Sequence, residues 1–118
     1  MNEFMIFIKT KGDHLANSSP EQQQAHVQKV GKYIAGLMQE NRLKEAQPLD
    51  TSGAMIRVNK GVFKDGPFVE SKEVIVGYFH ILANDLEEAI EIAKANPMFE
   101  DADGVIEVRP VKQMEGIN

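Results

Sequence analysis

With no cysteine in the chain, proton transfer near neutral pH falls to the three histidines, His14, His26 and His80. A histidine oriented by a carboxylate is a competent general base, and Asp65, in the run Asp65-Gly66-Pro67, is the carboxylate that suits that role. His14 falls in a polar loop and carries the least information. His26 and His80 remain equal candidates for the partner of Asp65. Arg57 and Arg109 supply planar guanidinium groups that suit a carboxylate or enolate-like ligand, and Tyr78 joins them as a ligand contact. The chemistry expected of such a set is proton transfer, elimination or isomerisation on a small acidic molecule. Each residue also has a structural role open to it. Asp65-Gly66-Pro67 makes a good turn by itself, and His26 beside Val27 fits a half-buried histidine with a satisfied ring.

Metal ligation is not expected. No two histidines have ligand spacing and no thiol is present. No phosphate-binding glycine loop occurs, since Gly61, Gly66 and Gly77 fall in turns or a strand, and no cofactor is expected. The net charge is −5, with 13 basic residues scattered along the chain, which argues against direct binding of nucleic acid or of an anionic membrane surface. The opening Met-Asn-Glu-Phe-Met-Ile-Phe-Ile lacks a basic leader and a long apolar core. No run approaches the roughly 20 apolar residues of a membrane span. A single reduced, cytoplasmic domain is expected from 118 residues without cysteine.

The elements that must position these residues read as follows. Phe4–Ile8 is a short apolar strand, expected to be buried on both faces. Ser19-Pro20-Glu21-Gln22 starts a helix, with Ser19 as cap, Pro20 in the first turn and Gln22 as capping-box partner. It is predicted to run to about Asn41, with Val27, Val30, Ile34, Leu37 and Met38 as its apolar stripe. Residues 42–53 read as a connection marked by Pro48. Ala54–Val58 and Val62–Lys64 read as paired strands about the turn Asn59-Lys60-Gly61. Glu73–Ala83 is the strongest strand. Asn84 is expected to cap a second helix, with Leu86, Ala89, Ile90 and Ala93 buried, ending before Asn96-Pro97. Val105–Val111 is the last strand.

This order gives an α+β class, a ferredoxin-like sheet with two helices on one face. Alternation places Ile75, Gly77, Phe79 and Ile81 under the helices with Ile56, Val58, Ile106 and Val108. The opposite face then gathers Val74, Val76, Tyr78, His80 and Leu82 with Arg57, Glu107 and Arg109, provided no bulge interrupts a strand. Such a half-apolar face suits a homodimer interface, either around a lined cavity or as a plain dimer core with ion pairs such as Arg109–Glu107.

Asp65-Gly66-Pro67-Phe68-Val69-Glu70-Ser71-Lys72-Glu73, followed by Ile75, Gly77 and Tyr78, resembles the DGPF signature of the YCII-related proteins. Phe4–Lys9, the segment Asn96-Pro97-Met98-Phe99 and the run Val105–Pro110 are similar to the opening and closing of that family, so the resemblance covers nearly the whole chain. It implies a ferredoxin-like subunit pairing into a dimeric α/β barrel. It also implies acid–base chemistry through a His–Asp pair, with His26 as the first-helix histidine that resembles the family's partner. The alternative it implies is a non-catalytic ligand-sensing or regulatory module linked to alternative sigma factors.

Overall fold

The computed structural model describes residues 1–13, 15–67, 73–100 and 102–118, with Pro67 known by its backbone only. His14 and positions 68–72 of the DGPF-like run lie outside the described residues. The elements are β1 (Asn2–Lys11), α1 (Pro20–Gln39), β2 (Leu43–Pro48), β3 (Ala54–Asn59), β4 (Val62–Pro67), β5 (Glu73–Ala83), α2 (Leu86–Lys94) and β6 (Val105–Pro110). A single 3₁₀ turn, Pro97–Phe99, follows α2.

β2, β5, β1 and β6 form, in that order, one antiparallel sheet. With two helices on one face this is the expected ferredoxin-like α+β fold. Its second strand, however, is β2, in the stretch read as a connection. Leu-Lys-Glu-Ala-Gln-Pro carries too few apolar residues to announce a strand, yet it needs few, because it lies at the sheet edge. The expected strand pair, β3 and β4, forms a two-stranded sheet of its own. Lys60 (φ 49°) and Gly61 (φ 84°) both take left-handed backbone, the geometry of a tight two-residue hairpin turn.

Among the described residues, no Cα of β3 or β4 comes within 8 Å of any other strand or helix. The hairpin is therefore an arm. Its Ile56 (64% exposed) and Val58 (61%) are not under the helices as alternation had suggested, and Phe63 (70%), paired with Val58, is exposed with them. The arm also enlarges the molecule: the radius of gyration is 16.2 Å, against about 13.5 Å for a compact chain of this length.

The core lies between the sheet and the helices. Phe4, Ile6 and Ile8 of β1, Phe79, Ile81 and Ala83 of β5, Leu37 of α1 and Ala89 and Ala93 of α2 are all buried. β1 is thus buried on its helix side, while Met5 and Phe7 on its other side are half-buried. Helix α1 starts as its sequence dictates. Ser19 Oγ accepts from the Gln22 N–H (3.1 Å), and the Gln22 side chain accepts from the Ser19 N–H (2.9 Å). Its stripe is only partly covered, since Leu37 is buried but Val27 and Met38 are exposed. The cap of α2 is Asp85, one residue later than expected, accepting from the Glu88 N–H. Asn84 binds the Glu88 side chain instead.

A bulge in the β1–β5 pairing, between Ile8 and Lys9, decides which β5 residues face which way. Gly77, Phe79 and Ile81 pair with Ile8, Ile6 and Phe4 on the helix side, as expected. Beyond the bulge Val74 pairs with the buried Thr10, and Ile75 pairs with Lys9 on the opposite side. Val74 and Ile75 have therefore exchanged faces relative to simple alternation, because the extra residue, Val76, breaks the period of two.

Candidate functional site

The face of the main sheet away from the helices carries Glu3, Met5, Phe7 and Lys9 from β1. Tyr78, His80 and Leu82 come from β5, and Glu107 and Arg109 from β6. All follow from strand parity, because a residue paired directly across an antiparallel ladder shares its partner's face. At one end Glu3 pairs with Leu82 and Met5 with His80. His80 thereby lies diagonal to Glu3, its Nε2 2.9 Å from Glu3 Oε1. Lys44 Nζ reaches the same oxygen at 2.8 Å. The Lys44 bond, helped by His80 and opposed by partial desolvation, holds the Glu3 carboxyl below the usual carboxylate range. At neutral pH Glu3 is an anion and can only accept. Nε2 of His80 is then its protonated nitrogen, and the neutral ring keeps its lone pair on Nδ1.

Two further groups complete the face. The Tyr78 hydroxyl donates to Glu45 Oε1 (2.9 Å), and that bond raises the phenol's pKa. Lys9 Nζ donates to Glu107 Oε1 (2.9 Å), which lowers the Glu107 pKa. Arg109 stands 3.9 Å from Glu107 on the same strand. The ion pair expected between these two exists, but it is loose, and the close cross-strand partner of Glu107 is Lys9.

On the helix side, a groove of about 550 Å³ opens between α1, the end of β2 and β5. Val27, Val30, Ile34, Leu49 and Val76 give it an apolar wall, and His26, Asp13 and Asp50 add polar groups. Asp50 accepts from the Ser52 N–H (3.1 Å), which lowers its pKa.

The profile of the YCII-related domain matches residues 2–115. The chain belongs to the YCII-related family. A stretch of 63 residues is 35% identical to an uncharacterised protein of Rhizobium meliloti (strain 1021), covering 52% of this chain and 51% of the relative. The chain thus matches about half the length of that curated relative.

Within this YCII-related chain the three expected acid–base residues are spread over three places. His80 is on the helix-free face, His26 lines the groove on the helix side, and Asp65 is on the arm, opposite Ile56. Arg57 is also on the arm rather than on the sheet. It lines a cleft of about 680 Å³ at the arm's root with Lys9, Glu73 and Ile75. Tyr78 and Arg109 share the face of His80, as parity indicated. The carboxylate beside His80 is Glu3, a residue absent from the sequence-based set. Extending the first strand one residue upstream would have placed Glu3 in phase with Met5, Phe7 and Lys9. Among the described residues no group of three or more acidic, histidine or cysteine side chains is arranged to hold a metal. No helix there is long and apolar enough to cross a membrane.

Proposed function

We propose that this YCII-related protein transfers protons to and from a small acidic molecule held against the helix-free face. His80 is the acid–base group and Glu3 the carboxylate that orients it. The contact that carries this reading is the 2.9 Å approach of His80 Nε2 to Glu3 Oε1. It commits the N–H edge of the ring and leaves Nδ1 as the base. Arg109, 69% exposed at its side chain and only loosely paired, is the cation available to a substrate carboxylate. Tyr78 is the neighbouring hydroxyl. A face carrying half-buried Met5 and Phe7 among these polar groups suits closure by a second copy, and a homodimer belongs to the same proposal.

The test is proton exchange in deuterated water with a panel of small carboxylic and 2-oxo acids, followed by NMR. Protein-dependent loss of a C–H signal, abolished by His80→Gln, is expected. A panel that neither exchanges nor perturbs the His80 ring signals would sink the reading. The groove beneath α1, apolar but for a few polar residues, favours a second one: a ligand-sensing module without chemistry. Binding that shifts signals of Val27 and Val30, with no exchange, would select it.

A further inference from the structure

The arm stands clear of the main sheet, and the gap at its root is the cleft of about 680 Å³. Leu49, Met55 and Ile75, all exposed, give it apolar walls. Four charged groups line it as well: Lys9, Asp50, Arg57 and Glu73. Three of these already have a counterpart. Lys9 Nζ donates to Glu107 at 2.9 Å, the Asp50 carboxylate accepts from the Ser52 N–H, and Glu73 stands across the ladder from Lys11. Arg57 has none. Its ladder partner is Lys64, so two cations share the side of the hairpin opposite Ile56, Val58, Phe63 and Asp65. Neither forms an ion pair among the described residues.

Like charges directly across a ladder destabilise it, and a hairpin standing alone is marginal in water. Folding of the arm therefore gains nothing from this pair, whereas an anion would satisfy both members. A guanidinium presents parallel N–H donors that match a carboxylate, and Lys64 adds a point charge beside it. A concave site, apolar except around one polar focus, is the usual form of a small-ligand pocket.

We propose that the arm-root cleft binds a small carboxylic acid. Its carboxylate lies on Arg57 with Lys64 alongside, and its hydrocarbon part lies against Leu49, Met55 and Ile75. The site is distinct from His80 and Arg109. Those two flank Met5 in the sheet, about 13 Å along β1 from Lys9, so the proposal does not depend on proton transfer there. The apolar walls favour an acid with a hydrocarbon part over a bare anion such as phosphate.

Titration of the full chain with straight-chain acids from acetate to hexanoate, and with inorganic phosphate, tests this by NMR. Hexanoate is expected to bind saturably, with shifts centred on Met55, Arg57 and Ile75. Each added methylene should tighten binding about threefold. Arg57→Gln should weaken it roughly tenfold and Lys64→Gln roughly threefold. Lys112→Gln, which removes an exposed charge near the C-terminus, should leave it unchanged. Neither arm variant should speed amide exchange in the hairpin, since each removes a like-charge contact. Hexanoate binding of undiminished strength in Arg57→Gln would overturn the proposal, as would failure of every acid to bind. Phosphate bound as tightly as hexanoate would overturn the assignment to a carboxylic acid. Shifts confined to His80 and Arg109 would give the acid to the helix-free face and overturn this site. Failure of proton exchange at His80 would sink that chemistry and leave this site standing.

Discussion

Glu3 and His80 meet diagonally across β1 and β5, with Nε2 2.9 Å from Oε1, because their ladder partners are Leu82 and Met5. The contact fixes a tautomer more than it fixes the fold. Both side chains are roughly a quarter exposed (23% and 27%), and solvent screens a pair at that exposure. Glu3→Leu is expected to leave the thermal midpoint nearly unchanged. It should nonetheless redistribute the His80 proton between its ring nitrogens, read from their ¹⁵N shifts. An unchanged ring spectrum would show that Glu3 does not orient the histidine.

Acid should loosen the helix-free face before it unfolds the core. The Lys44 bond lowers the Glu3 pKa and the Lys9 bond lowers that of Glu107, each from an ordinary 4.5. A carboxyl whose folded pKa is depressed stabilises the fold above its unfolded value, and that contribution disappears as pH falls through the folded one. Thermal midpoints should hold near neutrality and decline below about pH 4.5, with a shallower decline in Glu107→Gln. Identical pH profiles for the two proteins would refute a role for the Lys9–Glu107 pair.

The alkaline limb belongs to Tyr33. Its hydroxyl donates to the Ile92 carbonyl, tying α1 to α2, and its ring meets Phe79 edge-on at 5.7 Å. Burial pushes the phenol up to about 12 from 10.0. A raised folded pKa gives stability that is complete below the unfolded value and is lost as pH climbs through the folded one. Stability should therefore fall between pH 10 and about 12. Tyr33→Phe is expected to flatten that fall and to cost about 1 kcal/mol at neutral pH, through the unpaired carbonyl.

Two glycines should respond in opposite directions to the same substitution. A Cβ on Gly104 would stand 2.3 Å from the Phe99 ring and 2.6 Å from the Lys9 carbonyl, whereas one on Gly36 would meet nothing within 4 Å. Gly104→Ala should destabilise by about 1–3 kcal/mol. Gly36→Ala, inside α1, should stabilise by about 0.5–1 kcal/mol. Denaturant unfolding of both variants checks the pair, and equal signs would contradict the packing around Gly104.

What the sequence disclosed depended on how local the governing physics was. The start of α1 was legible because Ser19 and Gln22 satisfy each other's backbone within one turn. The faces of β6 were legible because its alternation is unbroken, with Ile106 and Val108 paired to Ile8 and Ile6. β2 was not legible, since an edge strand with Leu43 and Ala46 as its inward residues has little apolar signal to show. The arm misled in a different way. Alternating Ile56 and Val58 declare that one side of a strand is to be covered, but they do not say by what. Of the candidate site, Tyr78, His80 and Arg109 came out together from parity alone. Glu3 was missed because the strand was begun at its apolar residues.

The bulge at Val76 makes β5 a strand of two phases. Its carbonyl is held by the Leu49 N–H at 2.8 Å, so the extra residue is anchored at the point where β2 ends. One residue thereby sets the parity of everything on β5 that precedes it. Were Val76 instead taken into the ladder opposite Lys9, Ile75 would turn inward and Val74 outward, and the chain leading to the arm would enter the sheet with its two sides reversed. The handedness with which the arm is presented is, in that sense, stored as the oddness of a single residue count.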